Sequence, residues 1–76
     1  MAHLFREQVG ISPQQFIEQQ RMRRAAELLR FTRRSVKEIS QDVGYDNPFY
    51  FTQRFRRYAR KSPKAYRQAM ELQAVE

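Results

Sequence analysis

Residues 35–58 of the chain read SVKEISQDVGYDNPFYFTQRFRRY. Ser35 followed by Glu38 is a capping box, which predicts the start of a short helix, and Gly44 is the kind of residue at which a helix ends. Asn47-Pro48 then combines a capping side chain with a first-turn proline, so a second helix is expected almost at once. A short helix, a glycine-containing turn and a second helix predict a helix-turn-helix.

The apolar residues of this stretch predict how its two helices pack. Val36, Ile39 and Val43 fall on one face of the first helix, and Phe51 and Phe55 fall on one face of the second. Because these faces cover each other, the opposite side of the second helix, predicted over 48–60, is left without core contacts. That side is the candidate functional surface.

The free side of the second helix carries the residue types that a DNA major groove requires. Gln53 suits a bidentate hydrogen bond to adenine, and Phe49 or the Thr52 methyl group suits a thymine methyl group. A core contact is an equal alternative for Phe49. Arginines near the helix end suit phosphate oxygens, and so do the free amides expected at helix starts. We therefore predict base contacts from Pro48, Phe49, Thr52 and Gln53. The predicted phosphate contacts are Ser35, Arg56, Arg57, Arg60, Lys61, Ser62 and Lys64.

Helix start and stop signals run through the rest of the chain, and no segment has the pattern of a strand. They predict five helices, at 1–9, 13–31, 35–43, 48–60 and 63–73, and hence an all-α, homeodomain-like bundle. Ser12-Pro13, with Gln15, and Ser62-Pro63 supply a cap and a first-turn proline to two of these helices.

The predicted helix 13–31 has an apolar stripe of Ile17, Ala25 and Leu28, flanked by Met22 and Leu29. Arg21 falls inside this stripe. A guanidinium on such a face either extends to solvent or, if buried, requires a carboxylate, for which Glu38 and Asp46 are the candidates. In the buried case Arg21 is a structural residue.

Positive charge is concentrated near the end of the chain. Fifteen Lys and Arg residues face eight acids, a formal net charge of +7, and residues 54–67 hold seven basic residues and no acid. Such a stretch is typical of a surface that binds nucleic-acid phosphates, and equally of a solvated face or of one that binds anionic lipid or acidic protein. The basic residues are Arg54, Arg56, Arg57, Arg60, Lys61, Lys64 and Arg67.

The composition argues against an enzyme. The chain has one histidine, His3, and no cysteine, and its carboxylates do not cluster, so neither a catalytic pair, a metal site nor a cofactor is expected. No apolar run has the length of a membrane span, and the chain does not open with a signal-peptide pattern. A cytoplasmic location is therefore the expectation.

The chain also contains an internal repeat at a spacing of fifty residues. Phe5-Arg6 aligns with Phe55-Arg56, Gly10 with Arg60, Ser12-Pro13 with Ser62-Pro63, and Phe16 with Tyr66. We interpret the repeat as two similar units of helix, turn and capped helix. The second unit is preceded by the helix 35–43, whose counterpart in the first would lie before Met1. The chain is thus expected to begin inside its first unit.

Several of these motifs together resemble the signature of AraC/XylS-type transcription regulators. The resemblance is carried by Gly44 through Arg57, by Ser62-Pro63 with Tyr66-Arg67, by Glu38-Ile39, and by Arg21-Met22, Ala25 and Leu28-Leu29. It implies two helix-turn-helix units joined by a long helix, each with a recognition helix in the major groove. Residues 1–12 would be a remnant of the first unit, 13–32 the linker helix, and 33–76 the second unit with a C-terminal helix.

The resemblance also has implications for single residues and for partners. His3, fifty residues before Gln53, would be a base contact of the first recognition helix. Arg60 stands where that family commonly has glycine, which predicts an altered turn before Ser62. Double-stranded DNA is the implied partner and RNA polymerase a further candidate. The family usually carries a separate effector-binding or dimerising domain; none is expected within these 76 residues, so no effector is predicted.

One alternative to DNA binding follows from the residues themselves. The helix 48–60 combines large apolar residues with arginines, so the chain is also compatible with a basic helical module that binds protein or a membrane. The short capped helix before it favours DNA, because it gives Phe51 and Phe55 a core to enter. RNA is less favoured, because the aromatic residues are predicted on a core face rather than on a stacking surface.

Overall fold

The computed structural model describes residues 10–74, which form four α-helices and no strand. They are α1 (Pro13–Phe31), α2 (Val36–Asp42), α3 (Pro48–Ala59) and α4 (Pro63–Ala74). The all-α prediction is confirmed, and each of these helices begins and ends within one residue of its predicted limits. The helix predicted over 1–9 lies outside the described residues.

The helices begin where their caps predict. The Ser12 hydroxyl accepts a hydrogen bond from the Gln15 N–H while the Gln15 amide oxygen accepts from the Ser12 N–H, and Ser35 and Glu38 form the same reciprocal pair. The Asn47 Oδ1 atom accepts from the first two free amides of α3. Because a cap satisfies donors that the helix itself cannot, these side chains fix the starts of α1, α2 and α3.

The core is built on the aromatic face of α3. Phe51 and Phe55 are fully buried, their ring centroids 5.9 Å apart, and Tyr66 of α4 packs edge-on against Phe55 with centroids at 5.4 Å. The other buried hydrophobic residues come from α1, from α2 and from the segment between α2 and α3. They are Met22, Ala25, Leu29, Ile39, Val43 and Tyr45.

The apolar stripe predicted for α1 is partly wrong. Met22, Ala25 and Leu29 are the buried residues of α1, whereas Leu28 is only partly buried and Ile17 is 50% exposed. Within the described chain α2, α3 and α4 all pack onto α1, and the buried residues of α1 lie in its second half. The buried residues of α1 are therefore Met22 and the residues three and seven positions after it, and they do not form the predicted stripe through Ile17.

Arg21 extends to solvent and stacks on Tyr45. Its guanidinium carbon lies 5.5 Å from the Tyr45 ring centroid, and a Cβ placed on Gly44 would lie 3.4 Å from the same carbon. Among the described residues, no ion pair joins Arg21 to the predicted partners Glu38 or Asp46. Of the two alternatives, extension to solvent is therefore the one observed, and the guanidinium makes a cation–π contact with Tyr45.

Two arginines of the stretch 54–67 join separate helices. Arg54 of α3 forms a bidentate pair with Glu18 of α1, with both nitrogen–oxygen distances at 2.7 Å. Arg67 of α4 donates to the Leu29 and Thr32 carbonyl oxygens at the end of α1, at 3.0 and 3.1 Å. Both guanidinium groups therefore stabilise the helix arrangement, a role that the sequence did not predict.

The residues that lie two positions before the serine caps of α1 and α4 both have a positive φ angle. Gly10 has φ +75° and precedes the Ser12-Pro13 start of α1, while Arg60 has φ +64° and precedes the Ser62-Pro63 start of α4. This likeness agrees with the fifty-residue repeat. It also corrects the expectation of an altered turn, since Arg60 adopts the left-handed conformation that glycine favours.

Candidate nucleic-acid interface

The helix α3 has one buried and one exposed side. Opposite Phe51 and Phe55, the Phe49 side chain is 82% exposed and Gln53 is also exposed. Phe49 is thus not a core residue, and its base contact stays a prediction. Residues 43–47 separate α3 from α2, so the two helices do not form one continuous rod. The exposed side is free to contact another molecule.

The other predicted base-contact residues differ in exposure. Thr52 and Pro48 are both partly buried beside the exposed side of α3. His3 lies outside the described residues. Tyr50 was not predicted, yet it is 51% exposed and its ring lies 5.9 Å from that of Tyr45. Tyr50 directly precedes the buried Phe51 and so lies at the edge of the buried face of α3. This position was the signal that could have identified it as an exposed aromatic residue.

The basic residues continue the exposed side of α3 beyond its end. Five of them, which we call the basic cluster, are all exposed, and no ion pair within the described part of the chain uses any of them. Three of the five, Arg56, Arg57 and Arg60, line one shallow surface depression. The basic cluster consists of Arg56, Arg57, Arg60, Lys61 and Lys64. Its positive charge is therefore available to an external anion.

The helix starts do not all offer free amides. In α3 the N–H groups of Phe49 and Tyr50 donate to Asn47 Oδ1 at 2.8 and 3.3 Å. In α2 the Ser35 N–H donates to Glu38, whose pKa is lowered by that hydrogen bond and by the charge of Arg34. The start of α2 therefore carries a negatively charged carboxylate, which repels a phosphate. The first two N–H groups of α3 are therefore occupied by Asn47, and in the first turn of α2 the Glu38 N–H is occupied by the Ser35 hydroxyl.

The start of α4 is better suited to an anion. Its first turn has no acidic residue, and the Ser62 hydroxyl accepts a hydrogen bond from the Ala65 N–H at 3.1 Å. The exposed Lys61 and Lys64 side chains flank this start. Since helix dipole and side-chain charge have the same sign here, both favour an approaching phosphate.

Two further properties concern other kinds of site. Across residues 10–74, no group of three or more His, Asp or Glu side chains is arranged to hold a metal ion. Within the same described range, every helix is too short or too polar to cross a bilayer.

The sequence and the fold were compared with those of known proteins. A family model described as a helix-turn-helix domain matches residues 1–69. The arabinose operon regulatory protein of Escherichia coli (strain K12) is 37% identical over 71 residues, which are 93% of this chain and 24% of that protein. The transcriptional regulator AlkR of Acinetobacter baylyi is 37% identical over 67 residues, 88% of this chain and 22% of that protein. The chain thus spans about a quarter of the length of these curated relatives.

Two solved structures share the fold. The DNA-binding domain of AdpA, determined in complex with a target DNA, has a TM-score of 0.90 at 32% identity, covering 99% of this chain and 68% of that one. The C-terminal domain of AraT, a response regulator from Geobacillus stearothermophilus, has a TM-score of 0.86 at 35% identity, covering 90% of this chain and 56% of that one.

Proposed function

The chain belongs to the AraC-type family of helix-turn-helix transcription regulators, and we propose on this basis that it binds double-stranded DNA with α3 in the major groove. An α-helix fits the width of this groove, and base edges there are distinguished by hydrogen-bonding side chains. The AdpA domain, a close structural neighbour, was determined with its target DNA, which supports the same partner for this chain.

The observation that carries the proposal is the division of α3 into two sides. Phe51 and Phe55 are fully buried and hold the helix to the core, while Phe49 and Gln53, four residues apart, share the exposed side. Arg56 and Arg60 continue the same row, at three and seven residues beyond Gln53. One surface therefore combines a bidentate amide with a series of unpaired cations.

We assign different roles to the two ends of this surface. Gln53 reads a base edge, with Phe49 beside it and Thr52 and Pro48 at the margin. The basic cluster and Ser62 bind the phosphate backbone, which positions the helix without reading sequence. Ser35 is the weakest of the phosphate candidates, because Glu38 occupies its N–H and adds a negative charge.

The proposal is tested by comparing Gln53→Ala with Arg57→Ala. Duplexes that bind the 76-residue chain are first selected from a random library, and affinities are then measured by fluorescence anisotropy at several salt concentrations. Gln53→Ala is expected to cost about 1–3 kcal/mol at one position of the selected site and to relax specificity there. Arg57→Ala is expected to weaken all duplexes alike and to reduce the salt slope by about one.

The outcome against the proposal is equally specific. If Gln53→Ala weakens selected and random duplexes by the same factor, Gln53 does not read a base. Both side chains are exposed, so neither variant is expected to change the melting temperature. A changed melting temperature would show that a loss of binding reflects a loss of fold.

A second candidate function is supported by the exposed aromatic residues. Phe49 and Tyr50 are 82% and 51% exposed on a helix that also carries exposed arginines, a combination that also suits an anionic membrane surface. Vesicles with and without anionic lipid, tested beside duplex DNA at equal salt, separate the two. Binding to the vesicles with no salt-sensitive binding to duplex would favour the membrane.

The wider role of the protein follows from the family. As a regulator of transcription it would act in the bacterial cytoplasm and contact RNA polymerase. Neither contact with the polymerase nor an effector is assigned to a residue of this chain, which spans about a quarter of its curated relatives.

A further inference from the structure

A second concentration of arginine lies along α1 and the turn that follows it. Residues 21–34 hold six arginines, one acid and no lysine. Two of the six have partners within the fold, which are the Tyr45 ring for Arg21 and the Asp42 carboxylate for Arg34. The other four are all exposed, and they are Arg23, Arg24, Arg30 and Arg33.

Three of these four arginines lie on the side of α1 that points away from the core. The buried residues of α1 are Met22, Ala25 and Leu29, and at about 3.6 residues per turn the opposite side is centred on Glu27. We call that side the outer face of α1. One face of the helix therefore presents three cations, one acid and one aromatic ring to solvent. The outer face consists of the exposed residues Arg23, Arg24, Glu27, Arg30 and Phe31.

The outer face of α1 and the exposed side of α3 point in different directions. Met22 of α1 and Phe51 of α3 belong to one core cluster and the two helices pack against each other, so each turns its exposed side away from the other. A duplex that lies along Phe49 and Gln53 would therefore leave the outer face uncovered. The outer face is available to a second partner.

Phe31 gives the outer face an apolar residue. Its side chain is 72% exposed at the end of α1, and the Arg30 guanidinium carbon lies 5.1 Å from its ring centroid. Arginine and exposed aromatic residues together are typical of protein–protein interfaces, in which lysine is depleted. A face that served solubility alone would accept lysine equally well. The composition of the outer face therefore favours contact with a protein.

We propose that the outer face of α1 binds an acidic segment of a second protein, with Phe31 packed against an apolar side chain of that segment. No ion pair within the described part of the chain involves Arg23, Arg30 or Arg33, so their guanidinium groups are free to bind external carboxylates through paired hydrogen bonds. Arg24 has an exposed contact with Glu27 at 3.5 Å, which water weakens. An acidic partner thus gains ion pairs, and an apolar residue in it covers Phe31.

Other occupants fit the outer face less well. The backbone of a duplex would pair with the arginines but would leave Phe31 without an apolar partner. A second copy of this chain offers few carboxylates, because three of its eight acids, Glu18, Glu27 and Asp42, already form ion pairs. An acidic segment with an apolar residue satisfies both parts of the face. Such binding does not depend on the proposed DNA-binding function.

The test uses a fluorescently labelled helical peptide of glutamate, leucine and alanine. Its glutamates repeat every seven residues, which is the spacing of Arg23 and Arg30, and a leucine follows each of them to match Phe31. A second peptide with glutamine in place of glutamate is the ligand control. Anisotropy is recorded with the full chain at physiological salt, with and without a saturating selected duplex, which is expected to cover the basic cluster.

Two variants of the outer face are compared with a matched control. Arg23→Gln/Arg30→Gln and Phe31→Ala should each weaken binding of the glutamate peptide by about ten-fold or more, as truncation of a central interface residue does. Arg56→Gln/Arg57→Gln removes the same charge from the basic cluster and should change the affinity by less than about two-fold, because charges far from the peptide are screened at this salt. The side chains are all exposed, so melting temperatures should stay unchanged. The saturating duplex should not displace the peptide.

Four outcomes would overturn the inference. No binding of the glutamate peptide to the wild type would show that the outer face is only solvated. Equal losses in the two double variants would show attraction to net charge alone, and an unchanged affinity in Phe31→Ala would exclude the aromatic contact. Displacement by the duplex, with a salt slope of DNA binding reduced by about two in Arg23→Gln/Arg30→Gln, would assign the outer face to nucleic acid instead.

Discussion

Arg67→Gln is expected to destabilise the fold while leaving the salt dependence of DNA binding unchanged. Arg67 lies in the basic stretch 54–67, but its Nε and Nη2 atoms donate to the Leu29 and Thr32 carbonyl oxygens at 3.0 and 3.1 Å. The last carbonyls of a helix have no partner within it, so these bonds satisfy acceptors at the end of α1. The guanidinium is thereby committed to the fold.

The expected loss is about 2–3 kcal/mol. A hydrogen bond to a charged donor contributes roughly 1.5–3 kcal/mol, the two bonds of Arg67 are only partly buried, and a glutamine amide is too short to make both. Domains of this size have a free energy of unfolding of roughly 4–11 kcal/mol, at about 0.05–0.15 kcal/mol per residue. The melting temperature should therefore fall by roughly 10–20 °C.

The matched control is Arg57→Gln, which makes the same chemical change at an exposed residue of the basic cluster. It should alter stability by less than about 0.5 kcal/mol and reduce the salt slope by about one. Urea and thermal unfolding followed by circular dichroism measure the first effect, and duplex titrations well below the melting temperatures measure the second. Equal stability of the two variants, or a reduced salt slope in Arg67→Gln, would refute the division of the basic residues into structural and DNA-binding groups.

Three further predictions concern α2 and α3. The Ser35 N–H and the charge of Arg34 lower the pKa of Glu38 below its ordinary 4.5, so its stabilising contribution is complete above that value and is lost as the pH falls through the lower folded pKa. Glu38→Gln should reduce the fall in melting temperature at low pH, measured from about pH 3 to 7. An unchanged fall would exclude Glu38 as its source. Phe49→Ala should leave stability unchanged. The wild type is expected to lose affinity by a few-fold when a contacted thymine is replaced by deoxyuridine, and Phe49→Ala should abolish that loss, so an equal loss in both proteins would argue against a methyl contact. Phe55→Ala should lower the free energy of unfolding by about 3–5 kcal/mol and leave much of the chain unfolded by circular dichroism, while Phe55→Leu stays folded. A cooperative melt of the alanine variant near the wild-type temperature would contradict the central place of Phe55 in the core.

Local signals predicted the helices well. Caps such as Ser12, Ser35 and Asn47 act on amides two or three residues away, so their effect can be read directly from neighbouring residues. The exposure of Gln53 followed in turn from the helical spacing of Phe51 and Phe55. The assignment of base and phosphate contacts to particular residues stays a prediction, since it depends on the bound DNA.

Long-range contacts account for what the sequence did not predict. The partners of Arg54 and Arg67 lie 35 to 38 residues away, and nothing local distinguishes these two arginines from the free arginines between them. The buried face of α1 depends on which helices pack against it, so Ile17 was placed in the core wrongly. Arg60 carries no signal for a left-handed turn; only its alignment with Gly10 provides one.

The contacts of Arg54 and Arg67 attach α1 at two separated points, Glu18 near its beginning and Leu29 near its end. At about 1.5 Å per residue, these points lie roughly 16 Å apart along the helix axis. A rod fastened at two points cannot pivot about either. The direction in which the chain enters at Ser12 is therefore fixed relative to α3. Loss of the contact between Arg54 and Glu18 would let the angle between α1 and α3 vary.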